Sequence, residues 1–93
     1  MKEISLDFKP QKREDLKIEN IEDGSVVYDP LNDEVFLLNN SASVILNMCD
    51  GNFTIKEMID IISETLNVEK EKISQDTIKI INEFIKKNII KKD

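Results

Sequence analysis

The 93-residue sequence has no histidine, no tryptophan and one cysteine, Cys49. These absences exclude a disulfide within the chain, cysteine and histidine clusters that hold zinc, and every catalytic triad that needs a histidine base. The neighbour of Cys49 is Asp50, whose negative charge opposes formation of a thiolate. We therefore interpret Cys49 as a small apolar residue on the inner face of a helix.

Glycine, long apolar runs and positive charge are also scarce. The two glycines each fit a turn, so the sequence has no glycine-rich phosphate-binding loop. No apolar run approaches the roughly 20 residues that span a membrane, and residues 1–15 lack the apolar core of a signal peptide. We therefore expect a cytoplasmic protein without membrane contact. The net charge of −6 opposes binding to nucleic acid, where contacts with phosphates supply much of the affinity.

No catalytic pattern is visible among the nineteen acidic residues. Acid and base catalysis by two carboxylates needs environments that drive their pKa values apart, and nothing in the spacing fixes such a pair. We predict no enzyme activity, no cofactor and no metal site. A binding function is what remains.

The first half of the chain has the alternation of β-strands. Three short strands are predicted, at residues 16–21, 25–29 and 34–38. Because the connections between them are short, the strands should form an antiparallel meander. The last strand then has one free edge, since only the middle strand of a meander has two neighbours. The alternating Ile4, Leu6 and Phe8 predict either an additional strand or an irregular arm.

The second half has helical spacing and predicts three helices. The first covers residues 41–50, with Ser41 as its N-cap and Gly51 just beyond its end. The second covers residues 54–67 and opens with a capping box of Thr54 and Glu57. The third is long: it starts somewhere in residues 69–74, runs to Lys87 and is ended by Asn88. Ile78, Ile81 and Ile85 widen the apolar arc of this last helix, and we interpret its Lys79 and Glu83 as solvated surface. The fold class is α+β.

A free strand edge beside a helix with surplus apolar surface predicts a groove for an extended peptide. The peptide would pair with residues 34–38 through main-chain hydrogen bonds, and its side chains would enter pockets between strand and helix. The predicted peptide-binding residues are Val35, Phe36, Leu37, Ile78, Ile81, Asn82 and Ile85. An ordinary hydrophobic core explains the same isoleucines, and the sequence leaves both interpretations open.

The order of three strands and three helices, with Leu38-Asn39, Asp50-Gly51 and Thr54-Ile55 at this spacing, resembles the PqqD-like family. The resemblance covers residues 16–90, with Asn88 where the family usually has glycine. It implies a winged-helix-like domain at residues 16–91, after an arm at residues 1–15.

The implied function is that of a non-catalytic peptide chaperone in natural-product biosynthesis. Such proteins bind the leader of a ribosomally made precursor peptide against the third strand and third helix. They deliver it to a modifying enzyme, such as a radical S-adenosylmethionine enzyme or a leader protease.

Two other interpretations remain open. A winged-helix DNA-binding or transcription-associated domain also combines three helices with a small sheet, although the third helix has no arginine and the net charge opposes it. Alternatively, Ile4 to Phe8 imitates a leader and pairs with the free edge of its own molecule or of a neighbour, which would produce a homodimer.

Overall fold

Three strands are followed by three helices in a computed structural model that describes residues 4–91. The elements are β1 (Lys17–Ile21), β2 (Gly24–Asp29), β3 (Glu34–Asn39), α1 (Asn40–Asn47), α2 (Ile55–Leu66) and α3 (Lys70–Lys86). The strands form one antiparallel sheet in the order β1-β2-β3. The predicted α+β class, with a meander before three helices, is confirmed. No helix within residues 4–91 is long and apolar enough to cross a bilayer.

The register of the sheet gives β3 one buried side and one exposed side. Val27 of β2 pairs with Phe36 of β3, and both belong to or pack against the hydrophobic core. Leu38, two residues further, is also buried. Val35 and Leu37 alternate with them and are 60% and 77% exposed, because successive side chains of a strand point to opposite faces.

Side-chain caps determine where the helices begin. The backbone N–H of Glu57 donates to Thr54 Oγ1 at 3.0 Å and that of Thr54 donates to Glu57 Oε1 at 2.8 Å, so the predicted capping box of α2 is confirmed. The N-cap predicted at Ser41 is wrong. Asn39 Oδ1 accepts from the N–H of Ala42 at 2.9 Å, and α1 begins directly where β3 ends. Asparagine is as good an N-cap as serine, and no loop separates the two elements.

The helix ends are partly as predicted. Asn88 has the predicted left-handed conformation, with φ of 61°, where α3 stops. α2 stops near Asn67 as predicted, and Asn67 is also left-handed, with φ of 55°. The predicted end of α1 at residue 50 is wrong, because the helix ends at Asn47. Asp50 instead pairs with Gln11 in an isolated bridge, which draws the chain out of the helix.

Residues 4–16, before β1, form an irregular arm and not an additional strand. The carbonyl oxygens of Leu6 and Phe8 accept from the N–H groups of Lys56 and Ile55, both at 3.0 Å, and so satisfy donors in the first turn of α2. Further along, the N–H of Arg13 donates to the carbonyl of Ile89 at 3.0 Å. Since these partners lie outside β3, the interpretation that the arm occupies the strand edge of its own molecule is wrong. Pairing with a neighbour stays a prediction.

Asp29, at the end of β2, is a fully buried carboxylate that fixes the turn leading into β3. Arg13 donates to both of its oxygens at 2.9 Å, and the backbone N–H groups of Leu31 and Asn32 donate to its Oδ1 at 3.0 and 3.2 Å. The hydrogen bonds from Arg13 are the main reason that the pKa of Asp29 lies far below its usual value.

We expect Asp29→Asn to destabilise the fold at neutral pH and the difference from wild type to shrink in acid. A lowered pKa means that the stabilisation is fully present above the unfolded-state pKa of about 3.9 and is lost as pH falls towards the folded-state pKa. Urea unfolding at pH 7 and below pH 3 measures both effects. Asp15→Asn, which removes the exposed partner of Arg13, is the matched control and should cost less. Equal losses for the two variants would contradict the role given to Asp29.

Candidate functional site

β3 is an edge strand with an open groove along it. Within residues 4–91 it pairs with β2 on one side and with no strand on the other. α3 packs on α2 and α1 but not closely on β3, which leaves a gap between strand and helix. Two depressions of about 450 and 430 Å³ occupy this gap. We call them together the β3–α3 groove.

The two depressions are continuous along the strand. Glu83 of α3 and Lys87, the residue after α3, line both of them. One depression includes Glu34 and Phe36 near the start of β3, and the other includes Leu37–Asn39 at its end. The groove therefore follows the whole of β3, and the unpaired backbone groups of an edge strand lie along it.

The groove has an apolar floor and a charged rim. Leu38 and Phe84 are 8% and 2% exposed and lie at its base. Lys79, Lys86 and Lys87 stand along its α3 side, and no carboxylate in the described part of the chain forms a salt bridge with any of them. These ammonium groups can therefore pair with carboxylates of a bound molecule.

Lys87 spans the groove. Its Nζ lies 5.4 Å from the centroid of the Phe36 ring, within the range of a cation–π contact. Since Lys87 follows α3 and Phe36 is on β3, this contact joins the two walls. A chain entering the groove here would displace the ammonium group from the ring and contact the ring itself.

The predicted peptide-binding residues lie in different places. Phe36 and Leu37 line the groove, whereas Val35, the residue before Phe36, has an exposed side chain and does not line it. Ile81 is fully buried in the core and cannot reach a molecule in the groove. The remaining predicted residues of α3 do not line it either: they are Ile78 and Ile85, partly buried against the core, and Asn82, which is exposed.

The groove borders the flank of α3 that carries Ile80 and Glu83, whereas the predicted groove bordered the flank that carries Ile78 and Ile85. At about 100° per residue, Ile80 and Glu83 lie on one side of the buried face, whereas Ile78 and Ile85 lie on the other. The buried face includes Thr77, which is 1% exposed. The isoleucines that widen the apolar arc belong to the core or pack against it, so the arc does not mark the groove. The face interpreted as solvated, with Lys79 and Glu83, is the one beside β3.

Cys49 does not contribute reactive chemistry. Its thiol is buried, and Sγ donates to the carbonyl oxygen of Ile45 at 3.1 Å. Burial raises the pKa of the thiol to about 12, so it is protonated at neutral pH. The groove offers backbone hydrogen bonds, an apolar floor and charged groups, which together can bind an extended chain.

A comparison with models of protein families identifies one family. The profile of the family described as coenzyme PQQ synthesis protein D (PqqD) matches residues 24–90, which include β2, β3 and all three helices. No curated protein sequence matches the chain.

The fold is similar to the solution NMR structure of the PqqD truncation of Methylobacterium extorquens PqqCD. The TM-score is 0.74 at 19% sequence identity, over 89% of this chain and 88% of that one. That protein is described as a functional, stand-alone recognition element for ribosomally synthesised and post-translationally modified peptides.

Proposed function

The chain is a member of the PqqD family, and we propose that it is a peptide-binding adaptor that recognises the leader segment of a ribosomally made precursor. The observation that carries this proposal is the unpaired edge of β3 along the β3–α3 groove. The structurally similar Methylobacterium extorquens protein, a stand-alone recognition element, supports it.

The proposed mode of binding is strand addition. A leader peptide in the groove would form a fourth strand, held by main-chain hydrogen bonds to alternate residues of Glu34–Asn39. We propose an antiparallel orientation, because antiparallel pairs are somewhat more stable than parallel ones and both existing pairs are antiparallel. Alternate side chains of the peptide would face the floor at Leu38 and Phe84, so they should be apolar.

The charged rim would select among peptides of this kind. Lys79, Lys86 and Lys87 favour carboxylates in the peptide, whereas Glu83 between them favours a cation. Because the whole chain carries −6, any such preference for acidic residues is local to α3 and should weaken as salt is added.

The bound leader would then be delivered to a modifying enzyme, either a radical S-adenosylmethionine enzyme or a leader protease. The adaptor itself takes no part in the chemistry in this proposal. Residues 16–91 would form the recognition domain, and the arm at residues 1–15 would support α2. The outer face of the sheet, with Val35 exposed, is available for the enzyme.

We expect Ile80→Glu to weaken leader binding about tenfold or more and Ile78→Glu to leave the Kd within about twofold. Both are partly buried isoleucines of α3, but only Ile80 lines the groove. Contact of an aliphatic side chain contributes roughly 1.5–3 kcal/mol, and each 1.4 kcal/mol is a factor of ten. The measurement is an amide NMR titration with the leader of the short precursor encoded beside the gene, with circular dichroism to check folding.

Saturable shifts should concentrate at residues 34–39 and along the groove side of α3. Equal effects of the two variants would contradict the groove assignment, and absence of shifts with any neighbouring leader would contradict the adaptor function. Retention on heparin at low salt separates the DNA-binding alternative, which requires it, from peptide binding, which does not.

A further inference from the structure

A cavity of about 360 Å³ lies between α1, α2 and α3 at one end of the groove. Its size is within the roughly 300–1,000 Å³ of ligand pockets, and its lining is mainly aliphatic. Val44, Ile61 and Leu66 line it with 50%, 42% and 60% of their surface exposed. They are three of the eight large apolar side chains exposed among residues 4–91, so the apolar surface is concentrated here. We call it the helix cavity.

The helix cavity is continuous with the β3–α3 groove. Ser41, Asp76 and Ile80 line both. Ser41 lies in the first turn of α1, which begins directly after β3 ends at Asn39. A chain that runs along β3 towards Asn39 therefore leaves the groove over Ile80 and reaches the helix cavity without crossing another element.

We propose that the helix cavity binds aliphatic side chains of the same peptide, from the residues just before its strand-forming segment. This inference rests on the proposed function. In the antiparallel orientation the N-terminal side of the peptide lies at the Asn39 end of β3, which is the cavity end. The leader would thus be read in two parts, an extended segment along β3 and an aliphatic anchor N-terminal to it.

The charges along the groove and the helix cavity set a further requirement on the sequence of the leader. Among residues 4–91, Asp76 is the one charged residue that lines the helix cavity, and it stands at the junction with the groove. Asp76 would repel an acidic peptide residue placed beside it and accept a neutral or cationic one. Lys79, which lines the same depression as Asp76, and Lys86 and Lys87 further along the groove can pair with carboxylates. A leader with a neutral or basic residue at the junction and acidic residues in its strand segment would complement this arrangement.

The test uses fluorescence anisotropy with the synthetic leader of the neighbouring precursor, in full and with its N-terminal residues removed. Ile61→Lys and Leu66→Lys alter the helix cavity and leave the groove intact. Leu6→Lys is the matched control, because Leu6 is 42% exposed like Ile61 but lies on the arm. All three replace exposed side chains, so folding should be preserved.

We expect both cavity variants to weaken binding of the full leader about tenfold or more, and the control to change it less than about twofold. Removal of the N-terminal anchor should weaken binding to the wild type by a similar factor. The shortened peptide should then bind the wild type and both cavity variants equally, since the contact is already lost.

Two results would overturn this inference and keep the proposed function. In one, the full leader still shifts the amide NMR signals of β3, but neither the cavity variants nor the truncation of the peptide changes the affinity. In the other, Ile61→Lys changes the sedimentation coefficient and not the affinity, which would make the cavity a contact between copies of the chain. Failure of every leader to shift the β3 amides would instead overturn the proposed function, and this inference with it.

Discussion

Methylation of every second backbone nitrogen in the bound peptide is expected to weaken binding about 100-fold when the methylated nitrogens face β3. Methylation of the other set of nitrogens, which face away from β3, should change binding little. In an antiparallel pair, only every second residue of the added strand turns its N–H towards the edge of the sheet. A six-residue edge such as β3 has room for about three of these donors. Each hydrogen bond contributes about 1 kcal/mol, so the loss of three corresponds to roughly two factors of ten.

The experiment compares two peptides of identical composition, methylated on odd or on even residues of the strand segment. The protein is the same in both, so a change in its folding cannot explain a difference. Isothermal titration calorimetry gives both affinities. Equal affinities for the two series would mean that the peptide does not pair with β3, whatever else holds it in the groove.

An uncovered strand edge is a risk for any small protein, because it can pair with another edge. In this chain, α3 stands beside β3 with Lys79, Lys86 and Lys87 along the gap. A second sheet edge would have to enter between these ammonium groups and the strand. A single flexible peptide enters more easily, which favours ligand binding over edge-to-edge association.

Local signals in the sequence were sufficient for most of the fold. The capping box of Thr54 and Glu57 needs only residues three apart, and the short turns of the meander need only their own residues. The left-handed Asn88 at the end of α3 is of the same kind. Each of these was predicted because cause and effect lie within one turn of chain.

The arm and the site depend on contacts between residues far apart in sequence. Arg13 bonds to the backbone of Ile89 and to the side chain of Asp29, and no periodicity near residue 13 indicates either partner. The groove was predicted beside Ile78, Ile81 and Ile85 because they widen the apolar arc of α3. In the structure these isoleucines lie in the core or pack against it, so the width of the arc does not mark the side that faces β3. The resemblance to a family identified β3 and α3 as the walls of the groove, but not the face of α3 that lines it.

Gly24→Ala is expected to cost at least about 3 kcal/mol of folding free energy. Gly24 has φ of 152°, and a Cβ there would lie 1.8 Å from the carbonyl oxygen of Leu38. Strained backbone costs roughly 1–3 kcal/mol and overpacking roughly 1–3 kcal/mol more. The clash is with backbone, so it can be relieved only by separating β2 from β3. A small domain of this length has about 5–14 kcal/mol in total, so a large share of its stability would be lost.

Gly51→Ala is the matched control for Gly24→Ala. Gly51 has φ of 84°, but the nearest atom to a Cβ there is Oε1 of the Gln11 side chain at 3.4 Å, which can move. It should cost about 1–2 kcal/mol, the strain of a left-handed residue alone. Urea unfolding measures both variants. Leu38 and Asn39 are the last residues of β3 before α1. The fraction of Gly24→Ala protein that stays folded should therefore also bind the leader more weakly. Equal unfolding free energies for the two variants would contradict the close approach of β2 and β3.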